Sequence, residues 1–295
     1  MRRGASHVVW LALALAIYFL INACMAFRVW LLLRDMKIRI PFMRALLANL
    51  SGMIASDFTP ARSGYLTTAF VLSQNNKIPL EKSMVSILGP QIFDFGLKVT
   101  AGAIAFWYLI NFAFAGGSVN SSAIKSAVIF AIFAISAMIG VIVLSLFSRT
   151  FYNCTHFVRR LPFGGKIHDL MEQMQKHSAS IRRLFWTILG LLGLTWFLKA
   201  LEWYAIGNAV GIHPNTPFHP LVFYAFLQPI STLLQFAPFP TLAGVGVFEI
   251  GVVFVLAQFG VPIEQAVVFA LLTRFVMIAV DSIGVREAVK ALKIF

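Results

Sequence analysis

Charged side chains are scarce in this sequence. Only 12% of its 295 residues are Asp, Glu, Lys or Arg, whereas 59% are hydrophobic. Soluble globular proteins carry about 25% charged residues, so the composition excludes a water-soluble enzyme and a disordered chain. The class that fits is an integral membrane protein with several spans, and the 29 Phe suit a surface in contact with lipid.

Acidic residues and cysteines are few. The chain has 11 Asp and Glu against 24 Lys and Arg. In a membrane protein such a surplus usually marks loops that face the cytoplasm and its anionic lipids, so we expect no nucleic-acid partner. The two cysteines, Cys24 and Cys154, are too few for a disulfide framework or a metal cluster.

The motifs of common catalytic sites are also absent. The sequence contains no Gly-rich phosphate loop with its lysine, no His/Cys metal spacing, no Gly-x-Ser-x-Gly and no Asp-x-Asp. Such motifs position the nucleophile, metal or nucleotide that catalysis needs. We therefore predict a protein that is not an enzyme, with no catalytic residues, no metal and no cofactor.

Five apolar runs are long enough to cross a bilayer as helices, which takes about 20 residues. They are residues 8–33, 83–111, 123–147, 184–207 and 264–285. The first run follows Met1-Arg2-Arg3, as the apolar part of a signal peptide would. Because the run is too long for a signal peptide, we expect an uncleaved span.

Two further apolar stretches are interrupted by proline and glycine. Residues 43–73 are interrupted at 59–64, and residues 221–259 are interrupted at 238–246. The pieces on either side are short for a crossing, and irregular backbone at membrane depth must be buried in protein or face a watery cavity. Each stretch is therefore interpreted as a re-entrant hairpin of two half-helices. The alternative is a pair of kinked or ordinary short helices.

Lys and Arg cluster in four segments and are absent from three others, which gives the orientation. The rich segments are 28–44, 77–82, 147–183 and 286–293, and those without either residue are 112–122, 208–220 and 260–264. If both interrupted stretches are re-entrant, every rich segment faces the cytoplasm, as the positive-inside rule requires. We therefore predict a multi-pass protein of the plasma membrane whose basic loops and C-terminus are cytoplasmic.

The two interrupted stretches resemble each other in residue order. Each has a Pro-(three residues)-Gly motif, followed by a β-branched residue, Pro, an aliphatic residue and Glu, from Pro60 to Glu81 and from Pro240 to Glu264. A long span follows in both cases. With the orientation above, the two hairpins enter from opposite faces, which makes them an inverted-topology repeat of the kind that builds many secondary transporters.

The only long polar region lies between the two repeats. Hydrophobic residues from Ile167 to Ile181 recur there at helical spacing opposite cations, which predicts an amphipathic helix on anionic headgroups, with partner docking as the alternative. The predicted architecture is an all-α, polytopic integral membrane bundle. Residues 1–295 form one transmembrane domain, with the first repeat at 43–111, a cytoplasmic basic loop at 148–183 and the second, inverted repeat at 221–285.

Several charged residues fall within the predicted membrane segments, where each costs about 2.5–3.5 kcal/mol on insertion scales unless it faces water or a partner. Asp94 and Lys98 stand four residues apart, and Lys199 and Glu202 stand three apart. Each pair can neutralise itself across a helical turn, so mutual neutralisation is the alternative to a functional role. Asp281 is close enough to the inner surface to be interfacial.

Three charged residues have no obvious local partner. Arg62 beside a half-helix N-terminus would favour an anion such as phosphate, whereas Glu249 could pair with Arg274 or receive a cationic headgroup. We predict a lipid-headgroup site at the two interruptions and the spans after them, with packing and fold specificity as the alternative role. Its candidate residues are Asp57, Pro60, Arg62, Gly64, Asp94, Lys98, Gly244, Gly246, Glu249 and Arg274.

Both interrupted stretches resemble the lysylphosphatidylglycerol synthase transmembrane (flippase-like) family. Its first half is matched by Arg28-Val29-Trp30-Leu31-Leu32-Leu33, Asn49, Thr59-Pro60-Ala61-Arg62-Ser63-Gly64 and Asp94. Its second half is matched by Pro240-Thr241-Leu242-Ala243-Gly244-Val245-Gly246-Val247-Phe248-Glu249, Gly260-Val261-Pro262 and Arg274. The resemblance implies two re-entrant helix pairs and lipid translocation without ATP. It carries onto Pro60, Arg62, Gly64, Gly244, Gly246, Glu249 and Arg274.

One departure from the family pattern concerns the headgroup. Bacterial relatives often have Gly-Glu followed by Arg where this chain has Gly64-Tyr65. The sequence also has no segment that resembles the soluble aminoacyl-transferase domain of bifunctional family members, so no synthase activity is expected.

The predicted function is therefore that of a flippase-like protein. It would move an anionic or zwitterionic lipid, either an aminoacyl-phospholipid or a polyprenyl-linked lipid, between leaflets without ATP. The alternatives are a non-transporting scaffold or accessory subunit for a glycosyltransferase or lipid-modifying enzyme, and a lipid-linked sugar transferase. The expected partners are membrane lipids, and the two further partners considered are such an enzyme and a second copy of the chain.

Overall fold

The computed structural model describes residues 2–59, 64–112, 172, 175–235 and 246–292, and the regular structure of this part of the chain is helical. The helices are α1 (Arg2–Asp35), α2 (Phe42–Asp57), α3 (Thr67–Asn76), α4 (Leu80–Phe112), α5 (Ser178–Arg183), α6 (Phe185–Val210), α7 (Pro220–Gln235), α8 (Val247–Gln258), α9 (Ile263–Asp281) and α10 (Val285–Leu292). The all-α prediction is confirmed. The predicted span 123–147 lies outside the described residues.

Three helical segments in the described residues are long and apolar enough to cross a membrane. They are His7–Asp35, Phe185–Val210 and Ile263–Ala291. These segments correspond to three of the predicted spans and support the membrane class. The predicted run 83–111 forms most of α4, which is 33 residues long and at 1.5 Å per residue would also reach across a bilayer.

The first interrupted stretch forms α2 and α3, which pack against each other because two glycines let their backbones approach closely. A Cβ on Gly52 would lie 1.8 Å from the Thr68 hydroxyl oxygen, and one on Gly64 would lie 2.3 Å from the Ala55 carbonyl carbon. Ala55 is later in α2 than Gly52, whereas its neighbour Gly64 comes earlier in the chain than Thr68. The two pieces therefore run antiparallel to each other.

The second interrupted stretch forms α7 and α8, which also contact each other. The ring of Phe223, near the start of α7, lies 4.8 Å from that of Phe259, which follows the end of α8. Gly246 precedes α8 with φ of 90°, a backbone conformation that glycine adopts without a steric penalty. The two pieces therefore run back along each other, as in the first stretch.

Helix α1 joins the two halves of the molecule. It packs along α6 and also contacts α2, α4 and α9. One hydrophobic cluster gathers α1 with α6, α7, α8 and α9, and another gathers the C-terminal end of α1 with α2, α3 and α4. The boundary between these clusters is where the cavity described below is found.

Most of the basic loop 148–183 lies outside the described residues, so its predicted amphipathic helix is tested only at one end. There Ile181 is 1% exposed, and its Cδ1 approaches the backbone of α4 at Gly89. Ile181 belongs to the apolar side of the predicted helix, and the helix as a whole stays a prediction. Ile181 packs into the protein because α4 offers a small residue at the point of contact.

Candidate functional site

A cavity of about 380 Å³, with charged and apolar side chains in its wall, lies between the two halves of the bundle. Its walls come from α1, α2, α4, α6, α7, α8 and α9, together with the turn that leads into α3. The charged side chains that line it are Arg28, Asp94, Lys98 and Lys199. A cavity with this lining inside an apolar bundle provides the watery or ligand-filled environment that such groups need at membrane depth.

On the α4 side, the cavity is lined by an ion pair. Lys98 Nζ lies 2.8 Å from Asp94 Oδ2, and their side chains are 24% and 17% exposed. Gln91, one turn earlier, donates from Nε2 to Asp94 at 3.5 Å. Pro90 precedes this group inside the helix, and its ring nitrogen cannot donate to the preceding turn. The pair predicted from the i, i+4 spacing is thus present, and it lines the cavity.

The α6 wall carries a second ion pair, which is more deeply buried. Lys199 Nζ donates to both carboxylate oxygens of Glu202 at 2.8 Å, and the Glu202 side chain has no exposed surface. The same ammonium lies 4.8 Å from the ring centre of Tyr18 and 5.5 Å from that of Trp203. Cation–π contacts of this kind stabilise a desolvated ammonium, so Lys199 is held in place from several sides.

Arg28 is a cavity residue that sequence reasoning missed as a site residue. It lies in α1 and is 3% exposed, and neither its Nε nor the hydroxyl of Tyr65, another cavity residue, has a hydrogen-bond partner among the described residues. The sequence assigned it to a cytoplasmic basic segment. A signal was present, because Arg28 is the only charge in the apolar run 8–33 and follows Asn22 and Met25 at three-residue intervals, which places them along one helix face.

Glu249 and Arg274 form a separate polar cluster beside the cavity. Arg274 Nε donates to Glu249 Oε1, and the Gly246 N–H donates to Glu249 Oε2 at 2.8 Å. Of the two roles open for Glu249, the structure has the ion pair with Arg274. Neither side chain lines the cavity, although the neighbouring residue Phe248 does. The pair links the start of α8 to α9.

The other predicted site residues have mixed positions. Asp57 is 4% exposed at the end of α2, next to Ser56, which lines the cavity. Gly64 lies at the close approach to α2, and Tyr65 after it lines the cavity. Pro60, Arg62 and Gly244 lie outside the described residues. The structure therefore brings Asp94 and Lys98 together with Arg28 and Lys199, and places Gly246, Glu249 and Arg274 in the neighbouring cluster.

Asp281, which was expected near the inner surface of the membrane, is buried within the protein. It is 0% exposed and accepts hydrogen bonds from the Tyr18 hydroxyl at 2.8 Å and from Asn22 Nδ2 at 3.3 Å. Asn49 Nδ2 in turn donates to Asn22 Oδ1 at 2.9 Å. These bonds tie α1, α2 and α9 together directly behind the cavity wall, so Asp281 is buried with its partners and not solvated.

Among the described residues, no group of three or more His, Cys, Asp and Glu side chains could hold a metal ion. The lining groups of the cavity are ammonium, guanidinium, carboxylate, amide and hydroxyl groups. Such groups form hydrogen bonds and ion pairs with a polar ligand.

The apolar helices indicate an α-helical membrane protein, and charged side chains line the cavity between its helices. The chain belongs to the family of the lysylphosphatidylglycerol synthase TM region, whose model matches residues 3–284. The match includes both interrupted stretches and confirms the resemblance drawn from the motifs. No individual curated protein matches the chain at a significant level.

Proposed function

We propose that this protein moves a lipid with an anionic or zwitterionic headgroup between the two leaflets of the membrane without ATP. The observation that carries the proposal is a cavity of about 380 Å³ inside an apolar bundle. Positively and negatively charged side chains line this cavity. Its volume is in the range of small-ligand sites. A headgroup bound there would exchange hydrogen bonds with water for bonds with these side chains, which lowers the cost of passing the hydrocarbon core.

The outer faces of the helices suit the tails of such a lipid. Large apolar side chains are exposed on several helices: Trp186 is 78% exposed, Phe197 52% and Phe275 55%. Tails can therefore stay in the bilayer while the headgroup occupies the cavity. In this proposal the protein is not an enzyme, and membrane lipids are its partners.

The proposed mechanism needs access to the cavity from both sides of the membrane. The hairpins α2–α3 and α7–α8 would enter from opposite faces as inverted repeats, an arrangement that gives transporters alternating access. The antiparallel contacts within α2–α3 and within α7–α8 support the two hairpins. We place the protein in the plasma membrane with its basic loops and C-terminus in the cytoplasm, in accordance with the positive-inside rule.

Cysteine labelling tests the topology. Single cysteines replace Lys77, which follows α3, or Pro262, which precedes α9, in a background where Cys24 and Cys154 are changed to Ala; both positions are exposed. A membrane-impermeant maleimide added to intact cells should label the cysteine at 262 only, and after lysis it should label both. Labelling of both positions from the same side would contradict the inverted arrangement.

Transport is tested in proteoliposomes. Lipids with fluorescent phosphatidylglycerol or phosphatidylethanolamine headgroups are followed as they become accessible to an external quencher. We expect the wild type to exceed empty vesicles, and Asp94→Asn and Lys98→Gln to lower the rate by about tenfold, which corresponds to about 1.4 kcal/mol in the barrier. Lys290→Gln is the matched control, because Lys290 is 51% exposed on α10 and does not line the cavity.

The same experiment separates transport from the alternative function. If the folded wild type moves none of these lipids faster than empty vesicles, the proposal is wrong for them and the scaffold function is favoured. If Lys290→Gln slows transport as much as the cavity variants do, the cavity is not the path.

A further inference from the structure

We propose that Arg28, together with Tyr65, forms a subsite for the phosphodiester group of the lipid headgroup. The inference rests on the proposed function for the identity of the ligand as a lipid. It goes further in naming the chemical group that the cavity recognises and the side chains that hold it.

The first argument is the charge balance of the cavity wall. Lys98 has the Asp94 carboxylate at 2.8 Å, and Lys199 has the Glu202 carboxylate at 2.8 Å. Within the part of the chain that the structure describes, no carboxylate lies within ion-pair distance of Arg28. Of the three cations that line the cavity, Arg28 is therefore the one whose charge is not balanced by a direct partner.

The second argument is the cost of leaving such a group unpaired. Arg28 is 3% exposed, and a guanidinium does not lose its proton in proteins. Removing a charged group from water without a partner costs several kcal/mol. A ligand that brings one negative charge to this point would offset that cost, so this part of the wall favours an anion.

The third argument concerns the shape of the anion. The Arg28 guanidinium presents donors in a planar fork that fits two oxygens of a phosphate, and its Nε donor is unused. The Tyr65 hydroxyl, which also has no hydrogen-bond partner in the described part of the chain and whose residue lines the same cavity, adds a neutral donor. Arg28 carries one positive charge and has no ion-pair partner among the residues that the structure describes, so the charge that would pair with it is a single negative one. A phosphodiester carries this charge at neutral pH and is common to phosphatidylglycerol and phosphatidylethanolamine.

A fourth observation places a complementary acceptor close by. Gln91 also lines the cavity, and its Oε1 is buried without a hydrogen-bond partner, whereas its Nε2 already donates to Asp94. An amide oxygen can accept a hydrogen bond from a hydroxyl or ammonium group. The part of a headgroup beyond the phosphodiester would therefore find an acceptor on the α4 wall.

The experiment measures binding to the purified full chain in a neutral detergent. Trp196 and Trp203 both line the cavity, so intrinsic tryptophan fluorescence reports its occupancy. The titrants are dihexanoylphosphatidylglycerol, dihexanoylglycerol with the same tails but no phosphodiester, and dimethyl phosphate with the phosphodiester but no tails. The variants are Arg28→Gln and Arg28→Lys, with Arg44→Gln as the control, because Arg44 is exposed and contacts Asn76 away from the cavity.

We expect Arg28→Gln to weaken binding of dihexanoylphosphatidylglycerol by about 10- to 100-fold, the range for a lost charge-assisted hydrogen bond. Arg28→Lys should fall between this variant and the wild type, because an ammonium keeps the charge but loses the fork. Binding of dihexanoylglycerol should be the same in all proteins. Dimethyl phosphate should compete with the lipid in the wild type, but only at much higher concentration.

Several results would overturn the inference. Wild-type affinity of Arg28→Gln for dihexanoylphosphatidylglycerol would do so, as would an equal loss of affinity for dihexanoylglycerol, which would indicate general damage to the cavity. If Arg28→Gln does not fold, the Arg28→Lys variant decides: affinity equal to the wild type would refute recognition by the fork. Dimethyl phosphate binding as tightly as the lipid would point to a soluble ligand.

The transport assay keeps this inference separate from the proposed function. If binding depends on Arg28 but the wild type transports nothing, the subsite stands and the transport function fails. If the wild type transports phosphatidylglycerol and Arg28→Gln transports it equally fast, the function stands and the subsite fails.

Discussion

Breaking the ion pair between Glu249 and Arg274 should destabilise the protein more than the loss of a surface pair would. The two side chains are only 16% and 18% exposed, so each charge would lose its partner in a largely desolvated place. Removing one member of a fully buried pair costs about 3–5 kcal/mol, whereas exposed pairs contribute about 0–1 kcal/mol. For this partly buried pair we expect about 2–3 kcal/mol for either single variant.

The variants are chosen to isolate the charge. Glu249→Gln keeps a side-chain oxygen that can accept from the Gly246 N–H, which now donates to Glu249 at 2.8 Å. Arg274→Met removes the positive charge but keeps an unbranched side chain of similar length. In the double variant neither charge is left alone, so its loss should be smaller than the sum of the single losses by about 1–2 kcal/mol.

The free energy of unfolding is measured by titrating sodium dodecyl sulfate into mixed micelles and following tryptophan fluorescence. Arg286→Met is the matched control, because Arg286 is exposed on α10, and its effect should stay within about 0.5 kcal/mol. A coupling energy below about 0.5 kcal/mol, or Glu249→Gln as stable as the wild type, would refute the claim that this pair locks α8 to α9.

Three further predictions use the same unfolding assay. Gly64→Ala should lower the free energy of unfolding by about 1–3 kcal/mol, because the new Cβ would lie 2.3 Å from a backbone carbon of α2. The control is Gly193→Ala, whose Cβ would have no neighbouring atom within 4 Å. This control should leave stability unchanged or raise it by up to about 1 kcal/mol. Tyr18→Phe removes a donor to a buried carboxylate at 2.8 Å and should cost about 1–3 kcal/mol, so unchanged stability would contradict the buried bond. Burial, and after it the nearby charge of Lys82, lowers the pKa of His177 in the folded protein. The protein should therefore lose stability as the pH falls below about 6.5, the pKa of histidine in the unfolded chain. His177→Gln should remove this part of the pH dependence of stability, and an unchanged pH profile in the variant would contradict the prediction.

Much of the helical framework could be predicted from the sequence because it depends on local signals. The run of apolar residues up to Leu33 predicts a long helix, and the structure has one that continues to Asp35. The spacing of Asp94 and Lys98 predicts a pair within one helical turn, and the two side chains lie 2.8 Å apart. Such signals need no knowledge of which helices are neighbours.

Contacts between distant segments could not be predicted in the same way. Asp281 was assigned to the membrane surface from its place in the chain, yet its partners Tyr18 and Asn22 are about 260 residues away in sequence. Arg28 was counted among cytoplasmic cations because the residues after it are basic. Its surroundings are instead set by Tyr65 and the wall of α4, which only the packing of the bundle brings close.

The two motif glycines that the structure describes show why similar sequence signals need different physical explanations. Gly64 is required by space, because α2 leaves no room for a Cβ there. Gly246 has open space around it but a φ of 90°, so it is required by backbone conformation, and its N–H is bonded to Glu249. Tyr65, which follows the first interruption, lines the cavity, whereas Gly246, at the end of the second, is bonded to a residue of an ion pair that holds α8 to α9. If the proposed transport moves α8 relative to α9, the Glu249–Arg274 pair must open during it. Variants that weaken the pair should therefore change the rate of transport as well as stability.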